Sequence, residues 1–335
     1  MKGILKKWFI DGLSYMALGL FCSLIIGLIL DTVGQQTLVK QLDLSMLSEI
    51  GKVAMSLTGA AIGGAMAYGF KSKPLVLFSA IIVGYLAYDT YSGGPVGAYL
   101  ATLVVYEASK LYASRTSIDI IITPLLSLLI GSGVAKFVGP FLNEVMQSIG
   151  RVIVASTEQQ PLVMGILVAV IVGLTLTAPI SSAAICLMLN LEGLAAGAAT
   201  IGCVCQMIGF SVNSYRDNGL SGLISIGIGT SMLQVPNILK NPYIILPPTL
   251  ASALIAPIMT TLFPMYNNAI GAGMGTSGLV GPLMTIRVMD ASIETYILIG
   301  IFYFMLPAIV SFTIYSLMMK IGLIRKGDHT IQIVE

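Results

Sequence analysis

Charge is what this chain has least of. Asp, Glu, Lys and Arg together make up 10% of its 335 residues, where a soluble domain carries about 25%. A surface so poor in charge cannot face water all round, so lipid must serve as solvent. The mean hydropathy of +0.93 agrees. Histidine is almost missing too. The single one, His329, lies in the C-terminal tail, which leaves no buried His as a general base. No H-E-x-x-H, Walker A, nucleophile-elbow or dinucleotide fingerprint occurs. An intramembrane hydrolase is therefore not expected, and a transporter without a cofactor is expected rather than an enzyme. The four cysteines all sit in apolar stretches, and Cys203 and Cys205 are two apart, pointing different ways on a helix. Neither a disulfide nor a metal site is indicated. With a net charge of only +2 there is no basic patch for nucleic acid.

What the chain has instead is apolar runs of span length. About 20 residues cross a bilayer, and such runs fall near 12–30, 50–70, 74–90, 95–113, 119–139, 161–178, 193–213, 219–236, 244–263 and 293–319. The expected fold is all-α, a polytopic membrane protein of about ten transmembrane helices with re-entrant Gly/Pro-rich segments. The first run lacks a small-residue cleavage site and ends in Asp31, so it reads as a retained span rather than a signal peptide. Most of the 17 basic residues fall on one side of this topology: Lys2, Lys6 and Lys7, Lys71 and Lys73, Lys110 and Arg115, Lys240, and Lys320 to Lys326. Basic loops stay in the cytoplasm. A multi-pass protein of the cell (inner) membrane with both termini cytoplasmic is expected.

The sequence also matches itself without gaps at an offset of 124 residues, 89–140 over 213–264. Asp89, Tyr91, Ile120, Ile121, Pro124, Leu126 and Pro140 lie over Asn213, Tyr215, Ile244, Ile245, Pro248, Leu250 and Pro264. The joints leave no room for an extramembrane domain. One membrane-embedded domain, 1–335, is expected, with repeat units of about 48–155 and 161–280. Transporters are often built from repeats, with substrate held where they meet.

Irregular backbone at membrane depth is tolerated only when buried in protein or lining a watery cavity. Three stretches have that character: Tyr91 to Pro95, Thr177 to Gly193, and Gly271 to Pro282. Glycine lets a backbone approach a ligand closely. The candidate solute-binding groups are the hydroxyls of Ser181, Ser182, Thr276 and Ser277 and the backbone N–H groups of Gly273 and Gly275. Gln206 and Asn213 join them, seven apart and so on one helical face. Glu107 and Glu192 are the carboxylates at hand to orient a solute hydroxyl, though Glu107 has Lys110 one turn away as a pairing partner. Gly59-x-x-x-Gly63 and Gly193-x-x-x-Gly197 read as close helix crossings.

Five blocks carry a family resemblance: GAAIGGAMAYG from Gly59, TAPISSAA from Thr177, GLAAGAATIGC from Gly193, GTSMLQVPN from Gly229 and GAGMGTSGLVG from Gly271. Together they resemble the second EIIC family of the phosphotransferase system, over residues of about 12 to 320. That family also includes membrane regulators of toxin expression of the perfringolysin-O regulator type. The resemblance implies a sugar-permease-like membrane subunit, homodimeric, with cytoplasmic IIA and IIB proteins as phosphate-supplying partners. The G-I-T-E motif of the wider glucose-type group is missing here, as is a fused IIA or IIB domain. Three readings stay open: a permease for a small polar, sugar-like solute, an ion-coupled carrier without phosphotransfer, and a membrane sensor that binds a ligand without moving it.

Overall fold

The computed structural model describes residues 7–34 and 46–331. Its described residues form helices and turns with no strand, apart from one isolated antiparallel bridge between Gly193 and Asn267. Lys2 and Lys6 of the basic N-terminus lie outside the described residues. In chain order the helices are α1 (Gly12–Asp31), α2 (Met46–Ser56), α3 (Thr58–Gly69), α4 (Pro74–Thr90), α5 (Gly94–Tyr112), α6 (Asp119–Thr157) and α7 (Pro161–Thr177). There follow α8 (Ser182–Met188), α9 (Gly193–Asn213), α10 (Tyr215–Ile224), α11 (Val235–Lys240), α12 (Pro242–Leu262), α13 (Ser277–Met289) and α14 (Ile293–Lys320).

Among the described residues, α1, α6, α9, α12 and α14 are long and apolar enough to cross a membrane, and α2 with α3 adds a sixth candidate bent by 58°. α4, α7 and α13 are shorter apolar helices. The chain is an all-helical, multi-pass membrane protein. The spans expected at 12–30, 193–213, 244–263 and 293–319 are present as long helices. The helix expected at 119–139 continues past Pro140 to Thr157. One expected span is not a helix. Residues 219–236 begin at Gly219 with φ +60°, wind through a π-helical turn at Ser225–Gly229, extend at Thr230 and resume as a 3-10 turn at Ser231–Gln234. Gly227, Gly229 and Pro236 explain the break, because glycine and proline weaken a helix interior that hydropathy alone would extend.

The chain divides into two compact units after Met146, inside α6. In the first, α3 packs on α1, α4 and α5. Gly63 and Gly84 are the reason α3 and α4 come so close. A Cβ on Gly63 would lie 2.1 Å from the Ala80 carbonyl oxygen, and one on Gly84 would lie 2.2 Å from that of Gly59. Small residues are what allow helix backbones to meet when lipid supplies no hydrophobic drive.

In the second unit α9 is the buried axis, with α7, α12 and α14 packed around it. Gly202 sits 1.9 Å from the Ala169 carbonyl oxygen by the same measure, and Gly197 sits equally close to that of Met265. The Gly193-x-x-x-Gly197 motif thus seats a loop backbone rather than a second helix.

A polar crossing on the central helix

The Cys203–Met207 turn of α9 is where the interrupted segments of the second unit come together. The Thr177 hydroxyl, at the end of α7, donates to Gln206 Oε1 at 3.2 Å and lies 2.9 Å from Ser231 Oγ. Gln206 Nε2 donates to Thr249 Oγ1 of α12 at 2.9 Å. On an adjacent face, Gly275 holds φ +54° against the Cys203 backbone, where a Cβ would stand 2.8 Å from the carbonyl carbon. The Cys203 thiol faces the carbonyls of Val172 and Ala272 at 3.8 and 3.6 Å. Three broken stretches of chain, 177–182, 225–234 and 271–279, therefore meet on one helix that has no exposed residue between Ala196 and Asn213.

The broken stretches are tied to one another through their hydroxyls. Ser182 Oγ donates to the Gly273 carbonyl at 2.7 Å, Thr276 Oγ1 to the Gly227 carbonyl at 2.5 Å, and Ser277 Oγ to the Gly229 carbonyl at 2.8 Å. The acceptors are available because Gly227 and Gly229 lie at the end of a helix, where carbonyls lose their intrahelical partners. Sequence reading directs Thr276 and Ser277 at a solute; in this state both hydroxyls hold a neighbouring backbone instead. Ser181 stands half-buried just before α8.

Six of the eight candidate residues are thus collected around this crossing: Ser181, Ser182, Gly273, Gly275, Thr276 and Ser277, with Gln206 at its centre as a seventh. Asn213 is not brought in. It lies two turns further along α9 and donates from Nδ2 to Ser311 Oγ of α14 at 3.0 Å. The carboxylates stand apart as well. Glu107 is held in the first unit by Lys110 at 2.6 Å and by the Trp8 indole N–H at 3.0 Å. Glu192 is exposed at the entrance to α9.

Sequence reasoning missed three groups. Ser231 and Thr249 fell inside stretches read as plain spans, so nothing marked them as polar neighbours of Gln206. Asn267 is the third. Its Nδ2 faces Thr200 Oγ1, Thr285 Oγ1 and the Gly281 carbonyl at 2.8, 3.1 and 3.2 Å, and Thr285 Oγ1 lies 2.7 Å from the Tyr303 hydroxyl. Two consecutive asparagines opening a glycine loop were the signal, since Asn268 Oδ1 also caps the turn by accepting from Gly271 N–H at 3.1 Å.

The chemistry assembled here is neutral. Hydroxyls, the Cys203 thiol, the Gln206 and Asn267 carboxamides and backbone groups make up the crossing and its surroundings, with no Asp, Glu, Lys, Arg or His among the residues named. Such a set can exchange hydrogen bonds with hydroxyl-rich partners and cannot perform acid–base work at ordinary pH. No curated protein and no solved structure matches the chain. The family model described as phosphotransferase system, EIIC matches residues 10–331, which takes in both compact units and all three broken stretches. On that match the chain belongs to the phosphotransferase-system EIIC family.

Proposed function

We propose that the chain is a membrane permease subunit that binds a small, neutral, hydroxyl-rich solute of the sugar class at the α9 crossing. The observation that carries this reading is the convergence of three interrupted segments, bearing only neutral hydrogen-bonding groups, on one buried helix. Sugars offer hydroxyls that are both donors and acceptors, which match Ser, Thr and Gln side chains and backbone carbonyls. Binding proceeds by exchange: solute hydroxyls take over the Gly227, Gly229 and Gly273 carbonyls while Thr276, Ser277 and Ser182 turn to the solute. Such exchange keeps every buried polar group satisfied, which the low dielectric demands.

Family membership supports cytoplasmic IIA and IIB proteins as the source of phosphate and a homodimer as the working form. Both termini face the cytoplasm in this proposal, because the basic residues favour that side. Reporter fusions after Lys73, Arg115, Lys240 and Lys326 should read cytoplasmic, and fusions after Glu49 and Asn267 external.

The deciding experiment is thermal stabilisation of the purified protein across sugars, amino acids and nucleosides. A true ligand at a hundredfold excess over Kd stabilises by about 2.7 kcal/mol. Stabilisation by a sugar, lost in Gln206→Ala, is the expected result. Stabilisation by amino acids or nucleosides alone would overturn the solute class. Uptake driven by an ion gradient without phosphorylation of the solute would replace the phosphotransfer partner by a coupled ion.

A further inference from the structure

The tail that follows α14 turns back and is held as though it were a ligand. Five polar side chains read its main chain. Asp217 of α10 accepts from the Gly327 N–H at 3.0 Å and from the His329 N–H at 3.1 Å. Asn218 accepts from the Ile331 N–H at 2.8 Å and donates to the His329 carbonyl, also at 2.8 Å. Gln234 donates to the same carbonyl at 3.0 Å, and Asn237 to that of Thr330 at 3.0 Å. Asn241 reaches the Leu323 carbonyl at 3.0 Å and the Asp328 carboxylate at 2.7 Å. All five side chains lie on or beside the interrupted stretch 215–241, whose Gly227 and Gly229 carbonyls hold Thr276 and Ser277.

Between these contacts the His329 ring packs against Phe210 and Tyr315, two members of an apolar cluster that also holds Ile226, Ile244 and Ile324. Its ring stands edge-on to Tyr315, 5.4 Å between centroids. The residue is fully buried, against the expectation that a tail histidine would be exposed. Among the described residues neither ring nitrogen has a hydrogen-bond partner. A buried imidazole with no acceptor nearby is tolerated only while it is uncharged.

We propose that residues 325–331 form a releasable clasp, which fastens the interrupted segment to the end of α14 and lets go when His329 takes up a proton. Binding to backbone groups rather than side chains suits a strap that must dock in one register and still detach. The charged and titratable groups acting on the ring are Asp217 and Asp328, with Arg216 and the Tyr315 hydroxyl beside them. The two carboxylates favour the imidazolium, but burial outweighs them and pushes the imidazole down to about 4.

The released histidine titrates near 6.5. Docking is therefore at full strength above pH 6.5 and weakens as pH falls from 6.5 towards 4. Between pH 7.5 and 5.5 the docking equilibrium should drop about tenfold. This clasp rests on the geometry of the second unit and not on which solute the crossing takes, so its test involves no solute.

The test is hydrogen–deuterium exchange on the full chain in detergent or nanodiscs, corrected for intrinsic exchange with a free peptide of residues 321–335. Backbone amides of 325–331 should be protected at pH 7.5, and that protection should fall about tenfold by pH 5.5. In His329→Phe, which keeps a ring in the cluster without a titrating group, protection should not change with pH. In Asn218→Ala and Gln234→Ala, protection should fall both in the tail and in 225–236. Unprotected tail amides at pH 7.5, or an unchanged pH response in His329→Phe, would overturn the proposal. So would a tail freed by either alanine variant while 225–236 stays fully protected.

Discussion

Residues 94–112 and 218–236 occupy the same place in the two stretches that align at an offset of 124, and they behave differently. The first is α5, a single helix of 19 residues. The second breaks into the end of α10, a π-helical turn, an extended residue, a 3-10 turn and the start of α11. Leu103, Val105 and Tyr106 in α5 stand opposite Gly227, Gly229 and Thr230. Each glycine weakens a helix by about 1 kcal/mol relative to alanine. The consequence is chemical as well as structural. At the matching positions Leu103 and Val105 the carbonyls lie inside a continuous helix, whereas those of Gly227 and Gly229 face outwards and are taken by Thr276 and Ser277. Breaking a helix turns private backbone acceptors into shared ones, and that is how an apolar chain makes a polar site without charged residues.

The most damaging way to break the comparison is to make the second stretch resemble the first. Gly227→Leu with Gly229→Val restores the α5 residues at both positions. A Cβ on Gly227 already comes within 3.0 Å of Ser211 Oγ, so overpacking adds to the loss of two shared acceptors. The double variant should lose about 3 kcal/mol or more of stability, and solute binding should fall beyond detection in the thermal-shift assay. Normal binding would mean that the interruption has no part in the site.

Next in size is Gly275→Ala. The positive φ costs an L-residue about 1–2 kcal/mol, and the new methyl meets the Cys203 backbone, which cannot swing aside as a side chain could. Loss of about 2 kcal/mol or more is expected in a chemical melt, with weaker binding alongside. Gly133 is the matched control in the first unit, since a Cβ there meets nothing within 4 Å. Gly133→Ala should leave stability unchanged or raise it slightly.

Smaller again are Thr276→Ala and Ser277→Ala. Sequence alone suggests that these changes would weaken binding and leave stability alone. Their hydrogen bonds to Gly227 and Gly229 make a stability cost of about 0.5–1.5 kcal/mol each the better expectation. If the same bonds exchange with solute, affinity should fall about 2- to 12-fold. Stability loss with unchanged affinity would assign both hydroxyls to packing alone.

Membrane class was legible because composition and span-length apolar runs depend on summed hydropathy, which a chain of this length averages well. The family was legible because glycines of its blocks, Gly63, Gly197 and Gly275 among them, stand where an added Cβ would press on a neighbouring backbone. The break at 225–230 was not. Ile226 and Ile228 alternate with the glycines, so the stretch keeps the hydropathy of a span while losing its helix. The candidate hydroxyls could be named from their irregular surroundings, but their partners could not. Those partners are carbonyls some 48 and 49 residues away in sequence for Ser277 and Thr276, and a backbone carbonyl leaves no mark in a sequence. Burial of His329 was hidden for a related reason. The tail is polar and short, and the groups that hold it, Asp217 and the amides of Asn218, Gln234, Asn237 and Asn241, lie about a hundred residues away in sequence.

The smallest effect is expected in α5 itself, at Glu107→Gln. Glu107 is the one carboxylate of that helix, and a sugar permease could use such a group to orient a hydroxyl. Its surroundings argue for a peripheral role. The side chains of Glu107 and Lys110 are 31% and 50% exposed, and exposed ion pairs contribute only about 0–1 kcal/mol. Glutamine keeps Oε1, so the Trp8 indole N–H retains its acceptor. Lys110 Nζ keeps the Tyr106 ring, 4.6 Å from its centroid. The change should therefore cost less than about 0.5 kcal/mol in a melt, and solute affinity should match the wild type. A collapse of binding without loss of stability would place Glu107 on the solute path. The contrast between a structural helix in one unit and a functional interruption in the other would then fail at its simplest point.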